Sequence, residues 1–347
     1  MFFSPQAKET EDDLFNYKVE LNKLLDIMRH GPMGVILGLR RVGKTSLLKV
    51  AYNKFKGPKA WLDGLVVRDE THMWEVLNLK IKQILLNASL KYKFKNLIRN
   101  IEIEHVKIKW IDENLEDVIR KEHVKGVLII DEIQLLKKYG IDKWLAYIYD
   151  HLPLRVIISG SQIGIVEKMI GETKEGMKPL KGRLIRRIEL KPLNFQKAQV
   201  FLIQGMEQIN KRISEVEIQE VYSALGGFMG WLTYYGYYRQ FYDHEYALNM
   251  VKKKAADITS DELLNLLYYT DKTYLMVLDA ISNGYKNWKS IKNFLSIQHS
   301  LKLSDSSLKR RLDRLIDMSF IIKKHMVYQL SDPLLKQGLK YFFNFQN

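Results

Sequence analysis

Residues 33–46 carry the pattern that most constrains how this chain folds. An apolar run, residues 33–37, leads into Gly38-Leu39-Arg40-Arg41-Val42-Gly43-Lys44-Thr45-Ser46, and a helical pattern follows. A strand, a glycine-bounded loop and a helix in this order form a phosphate-binding loop, whose backbone N–H groups point at a polyphosphate. The pattern therefore predicts a site for a nucleoside triphosphate. The predicted nucleotide contacts are Gly38, Arg40, Arg41, Val42, Gly43, Lys44, Thr45 and Ser46.

A second motif predicts the metal-binding and catalytic groups. Residues 126–130 have the pattern of a buried strand and end in Asp131 and Glu132, and the carboxyl ends of parallel strands face the ligand crevice of α/β proteins. We predict that Asp131 and the Thr45 hydroxyl hold Mg²⁺ and that Lys44 contacts the β- and γ-phosphates. Glu132 is predicted to polarise the attacking water, which favours hydrolysis over nucleotide binding alone. In the alternative interpretation, the two carboxylates cap the following helix.

The composition bounds the class of protein. A length of 347 residues, 46% of them hydrophobic and 27% charged, is typical of a globular protein with two or three domains. The absence of cysteine excludes disulfides, thiolate metal sites and cysteine nucleophiles. No apolar run is long enough to cross a bilayer and the N-terminus lacks a secretory pattern, so we expect a cytoplasmic protein without a membrane partner. The net charge of +15 favours an anionic partner beyond the nucleotide, although a lysine-rich surface is the alternative.

A third strand pattern places small polar residues beside the predicted site. Residues 154–158 are mostly apolar and end in Ser159-Gly160-Ser161-Gln162. Strands, loops and helices joined by short connectors predict a doubly wound parallel sheet. A hydroxyl at this strand end is placed to bond the γ-phosphate or the attacking water, and we assign that role to Ser161. Ser159 and Gln162 are alternatives, as is an ordinary turn serine.

Arg183 is the predicted source of further positive charge at the γ-phosphate. It follows Gly182 in the segment Pro179-Leu180-Lys181-Gly182-Arg183. A guanidinium here would reach the phosphate within its own subunit or from a neighbour in a homo-oligomer. Arg186 and Arg187 are alternatives.

Two further segments have open interpretations. Basic and aromatic residues alternate between residues 91 and 110, which fits either a clamp on a nucleic acid strand or an amphipathic edge strand. Three glycines lie between residues 226 and 230 and permit a close backbone approach, either by an adenine ring or by a packed helix.

The C-terminal region predicts a winged helix-turn-helix. Helical patterns at residues 274–281 and 288–295, and a third that follows the cap at residues 304–307, precede a two-stranded wing at residues 320–330. Such a domain contacts DNA through its third helix and its wing, or else packs on another protein surface. The predicted DNA contacts are Ser306, Lys309, Arg310 and Arg314 on the helix, and Lys323 and Lys324 on the wing.

These patterns together predict three domains. An α/β P-loop core with a parallel sheet and an N-terminal helix occupies residues 1–193. A helical lid follows at residues 194–264, and the winged helix occupies residues 265–347.

The chain resembles the archaeal ATPase family, a P-loop group of the STAND and AAA+ type, over residues 10–345. The paired arginines inside the loop and the glutamine in Asp131-Glu132-Ile133-Gln134 discriminate this family better than the loop alone. The sequence departs from the family at Met229, where a proline usually helps to seat the adenine. It departs again at Tyr17-Lys18, where the family usually has Arg-Glu. The resemblance implies an ATP-driven conformational switch.

We therefore expect a Mg²⁺-dependent ATPase that cycles between ATP and ADP and couples that state to a DNA-binding winged helix. The alternative is a nucleotide-gated scaffold with little turnover, which binds a protein partner and does not contact DNA. A small-molecule kinase is a more distant alternative, since it would not need the C-terminal domain.

Overall fold

The computed structural model describes residues 1–88, 113–121, 124–171 and 179–344, and the chain forms two units. The α/β unit comprises residues 7–38 and 43–190, and the helical unit comprises residues 1–6, 39–42 and the chain from residue 191 onward. The alternating basic and aromatic residues at 91–110 lie outside the described residues. Among the described helices, none has both the length and the apolar character that a membrane crossing needs.

The α/β unit is built on a five-stranded parallel sheet in the order β2-β3-β4-β1-β5. The strands are β1 (Met33–Leu37), β2 (Lys59–Asp63), β3 (Val127–Asp131), β4 (Arg155–Gly160) and β5 (Arg186–Glu189). Every residue of β1 and β3 is buried, as expected of continuous apolar strands covered on both faces. The predicted doubly wound α/β core is confirmed.

Helices and two short 3₁₀ segments connect these strands. They are α1 (Lys18–His30), α2 (Lys44–Lys54), Gly64–Val66, α3 (Glu70–Asn87), α4 (Glu113–Lys121), Ile133–Tyr139, α5 (Ile141–His151) and α6 (Ile163–Ile170). Trp74 of α3 and Trp144 of α5 pack into one core with the strands. Because all five strands are parallel, the loop after β1 and the end of β3 lie at the same edge of the sheet.

The helical unit begins with a stack of helices. They are α7 (Phe195–Gln208), α8 (Glu215–Leu225), α9 (Met229–Arg239) and α10 (His244–Tyr269). Ser214 and Glu217 form a reciprocal capping box at the start of α8, which sets where that helix begins. Phe3, from the far N-terminus, is fully buried in this unit, and its ring meets Phe201 of α7 edge-on.

The winged helix-turn-helix follows in the same unit, as predicted. Its elements are α11 (Thr273–Ser282), α12 (Trp288–Gln298), α13 (Asp305–Asp317), β6 (Ile321–Lys324), β7 (Val327–Leu330) and α14 (Leu335–Asn344). β6 and β7 pair antiparallel across His325 and Met326, whose φ angles of 46° and 68° suit a two-residue hairpin turn. Helix α14 packs along α10. The division of this unit into separate lid and winged-helix domains stays a prediction.

Candidate functional site

The phosphate-binding loop begins where β1 ends. Gly43 has a φ of 101°, which turns the chain directly into α2 at Lys44. The Lys44 side chain is 5% exposed, and its Nζ donates to the carbonyl of Gly38 at 2.8 Å. The lysine therefore lies across the loop, beside the N–H groups at the start of α2.

Thr45 and Asp131 meet at the edge of the sheet. The Thr45 Oγ1 donates to Asp131 Oδ2 at 2.8 Å, while the Ser159 hydroxyl and the backbone N–H of Glu132 donate to Asp131 Oδ1. Burial raises the pKa of Asp131 above its ordinary value, and the hydrogen bonds from Ser159 and Thr45 oppose that rise. A hydroxyl and a carboxylate are hard oxygen donors, so this pair fits the ligands that Mg²⁺ prefers.

Glu132 turns its side chain toward β4. Its backbone is left-handed, with φ 50° and ψ 44°, and its Oε2 accepts hydrogen bonds from Ser161 Oγ at 3.0 Å and from the Gln134 amide. The carboxylate is engaged there instead of capping the 3₁₀ segment that follows, so the capping interpretation of Glu132 is wrong. Ser159 and Ser161 thus each hold one of the two adjacent carboxylates. Gln134 was not predicted as a site residue, although the motif that marks the resemblance includes it.

The side chains of Arg40 and Arg41 bond carboxylates of the helical unit. Arg41 Nη1 donates to Asp332 Oδ2 at 2.8 Å, a second arm of its guanidinium bonds Glu262, and the group lies 4.2 Å above the Trp231 ring. Arg40 lies 3.6 Å from the same Glu262 carboxylate. These carboxylates of the helical unit engage both side chains, and the nucleotide contacts of the two residues stay a prediction.

The glycine-rich segment packs closely on Arg41. The Gly230 N–H donates to the Arg41 carbonyl at 2.9 Å, and a Cβ at Gly230 would lie 2.8 Å from the Cβ of Arg41. Trp231, one residue later, donates its indole N–H to Asp332 at 3.0 Å. The close approach predicted for these glycines is made by the protein's own chain, which favours the packed-helix interpretation.

Arg183 lies at the amino ends of the strands, whereas the phosphate-binding loop lies at their carboxyl ends. It precedes β5, whose first residue, Arg186, pairs with Gly34 near the start of β1, and its Nε donates to Asp150 Oδ1 at 2.9 Å. The phosphate-binding loop follows the opposite end of β1, roughly 16 Å away for a five-residue strand. The prediction that Arg183 reaches the γ-phosphate within its own subunit is therefore wrong, while a contact from a neighbouring subunit stays a prediction.

The third helix of the winged domain separates its charged residues by face. Leu308, Leu312 and Leu315 are fully buried. Arg311 is 9% exposed and bonds the Ser307 hydroxyl at 2.6 Å and Asp271 at 3.2 Å. The predicted DNA contacts are all exposed: Ser306, Lys309, Arg310, Arg314, Lys323 and Lys324.

Comparisons with known proteins agree with this architecture. Residues 14–234 match the family model of an ATPase domain found predominantly in Archaea, and residues 270–331 match the C-terminal winged helix-turn-helix domain of MCM proteins. The Walker-type ATPase PABY2304 of Pyrococcus abyssi is similar over 98% of this chain and 100% of its own, with a TM-score of 0.82 and 27% identity.

Two other solved structures are more distant. The Orc1 protein of Aeropyrum pernix, solved in complex with DNA, has a TM-score of 0.49 and 11% identity over 100% of this chain and 97% of its own. Cdc6p of Pyrobaculum aerophilum has a TM-score of 0.43 and 14% identity over 99% and 98%. A search of curated proteins found no significant match.

Proposed function

The chain belongs to the archaeal family of P-loop ATPases, and we propose that it is an ATP-hydrolysing switch whose winged helix binds DNA. Arg41 carries this proposal. It lies two residues before Gly43 in the phosphate-binding loop, yet its guanidinium bonds Asp332, which comes two residues after the wing strand β7. If the loop rearranges around a bound nucleotide, Arg41 moves with it, and its ion pair with Asp332 beside the wing changes as well.

ATP is the proposed ligand of the loop. Lys44 neutralises phosphate charge, Thr45 and Asp131 hold Mg²⁺, and Glu132 orients the attacking water. The 2.8 Å contact between the Thr45 hydroxyl and the Asp131 carboxylate supports this pair as the metal ligands. When bound, the ion would screen the negative charge of the phosphates.

Duplex DNA is the proposed partner of the winged helix. Arg310 and Arg314 are exposed on α13, and Lys323 and Lys324 are exposed on the wing, while Arg311 between them is turned inward. Cations on the recognition helix and wing favour contact with the phosphate backbone. The net charge of +15 supports the same partner.

Steady-state ATP hydrolysis with and without duplex DNA tests the switch. We expect hydrolysis that rises with DNA in the wild type, and loss of hydrolysis in Lys44→Ala and Glu132→Gln. Tight ATP binding with no turnover and no response to DNA would instead favour a nucleotide-gated scaffold.

The DNA surface is tested by fluorescence anisotropy over a range of salt concentrations. Arg310→Glu should weaken binding and reduce the slope of log K against log salt by about 1. Lys253→Glu makes the same charge change at an exposed position of α10 and is the matched control. Equal losses in both variants would show that only net charge matters and would contradict the assignment of α13.

The coupling between nucleotide state and DNA binding is tested with Asp332→Asn. This variant weakens the Arg41 ion pair while every residue of the phosphate-binding loop stays as in the wild type. We expect this variant to hydrolyse ATP at its basal rate and to lose the stimulation by DNA. Stimulation equal to that of the wild type would contradict a coupling route through Arg41.

A further inference from the structure

We infer that Gln134 is a positioning residue for ATP hydrolysis, which holds the Glu132 carboxylate in place for the attacking water. This inference rests on the proposed role of Glu132 as the group that orients that water. Gln134 itself acts through Glu132.

The amide of Gln134 belongs to a closed triangle of hydrogen bonds. Its Nε2 donates to Glu132 Oε2 and lies 3.3 Å from Ser161 Oγ, and Ser161 Oγ donates to the same Glu132 oxygen at 3.0 Å. Gln134 is 8% exposed and Ser161 is 3% exposed. Two buried donors therefore fix one carboxylate oxygen of Glu132, and a hydrogen bond to a charged acceptor is among the stronger ones in proteins.

The other end of the same amide is left without a partner. Among the described residues, Gln134 Oε1 is buried and has no hydrogen-bond donor. It lies against Gly160, where an added Cβ would come within 2.5 Å of it. Reversing the amide would place its oxygen against the Glu132 carboxylate, so the chemistry of the site sets its orientation.

A buried carbonyl without a donor destabilises a fold, and a native structure that keeps one calls for an explanation. An apolar side chain of similar length would fill this space without that cost. The group that only glutamine supplies here is the N–H that holds Glu132. We therefore attribute the presence of glutamine at position 134 to its hydrogen bond with Glu132.

The backbone of Glu132 points to the same constraint. A non-glycine residue with φ 50° is uncommon, and such conformations persist where the surroundings over-determine them. Here the end of β3 and the two side-chain donors from Gln134 and Ser161 provide those surroundings. Glu132 is thus held through its main chain and its carboxylate together.

The test compares Gln134→Met with the wild type in full-length protein, measuring kcat and KM for Mg²⁺-ATP, the Kd for ATP and the Tm. We expect kcat to fall about 10- to 100-fold, because a small misplacement of a reacting group costs that much. KM and Kd should stay within about twofold of the wild type, and the Tm should change little, since removing the unpartnered carbonyl offsets the lost hydrogen bond to Glu132. An unchanged or higher kcat, or a lower Tm with kcat and KM shifted together, would overturn the inference.

The double variant Gln134→Met/Glu132→Gln separates this inference from the proposed function. Because Gln134 acts through Glu132, the second substitution should lower kcat no further than Glu132→Gln alone. A further fall would overturn the inference. If Glu132→Gln alone keeps the wild-type kcat, the proposed role of Glu132 is wrong and the inference fails with it. If Glu132→Gln abolishes turnover while Gln134→Met has no effect, the inference alone fails.

Discussion

Replacing Arg41 with methionine should destabilise the helical unit far more than the same change at Arg40. The Arg41 side chain is 11% exposed, and its guanidinium makes ion pairs with Glu262 and Asp332 while stacking over Trp231. Methionine has a similar length, so the variant removes the charge and the hydrogen bonds with little loss of packing volume.

The expected loss of stability depends on which hydrogen-bond donors remain for the Glu262 and Asp332 carboxylates when the guanidinium is removed. Breaking a buried ion pair by removing one partner costs about 3–5 kcal/mol, because the other charge stays buried. Asp332 keeps the Trp231 indole N–H at 3.0 Å and the Leu334 backbone N–H at 2.8 Å, which places Arg41→Met at the lower end, about 3 kcal/mol. Arg40 is 25% exposed and 3.6 Å from Glu262, so Arg40→Met should cost about 1 kcal/mol or less.

The assay is urea unfolding followed by tryptophan fluorescence and by circular dichroism, without nucleotide. If fluorescence and circular dichroism give different transitions, the transition of the helical unit is analysed by itself, because two-state analysis applies only to a single transition. A cycle of Arg41→Met and Asp332→Asn should give a coupling free energy of about 2 kcal/mol. Equal destabilisation by the Arg40 and Arg41 variants, or additivity within about 0.5 kcal/mol in the cycle, would refute the reasoning.

Three further predictions concern Thr45, Gly230 and Lys8. Thr45→Val removes the hydroxyl that bonds Asp131; the Mg²⁺ concentration for half-maximal hydrolysis should rise about tenfold or more, and an unchanged Mg²⁺ titration would exclude this residue as a ligand. Gly230→Ala places a Cβ 2.8 Å from that of Arg41 and should lower the free energy of unfolding by about 1–3 kcal/mol, whereas a neutral result would mean that α9 shifts freely. Burial lowers the pKa of Lys8 to about 8, so the unfolded state binds more protons between pH 8 and the ordinary lysine pKa and stability rises with pH across that window. Lys8→Met should therefore be more stable than the wild type at pH 7, by about 1 kcal/mol after discounting for a half-exposed side chain, and urea unfolding should show that advantage shrinking by pH 10; an advantage equal at both pH values would contradict burial as the cause.

The sequence predicted the elements whose signals are local. Continuous apolar strands, the glycine-bounded loop and the pattern of three helices and a hairpin each depend on a few neighbouring residues, and each is present in the structure. The contact between Thr45 and Asp131 was predictable as well, because parallel strands bring their carboxyl ends to one edge.

Contacts between residues far apart in the chain were not predictable in the same way. Arg40 and Arg41 lie inside a phosphate-binding loop, and no local pattern indicates that carboxylates more than 200 residues later engage them. The position of Arg183 could be assigned only once β5 was known to follow it and to run parallel to β1, which puts Arg183 at the amino ends of the strands, away from the phosphate-binding loop. The role inferred for Gln134 depends on a serine at the end of another strand.

The winding of the chain between its two units limits how this protein can be cut into parts. A fragment that begins at residue 191 would contain the helices and the wing but would lack residues 1–6 and 39–42, which group with them. It would lose the Phe3 ring that is buried against Phe201 and the guanidinium that neutralises Asp332. Dissection at a single boundary near residue 193 therefore leaves an exposed apolar site around Phe201 and an Asp332 carboxylate without its guanidinium, so an intact helical unit also needs residues 1–6 and 39–42.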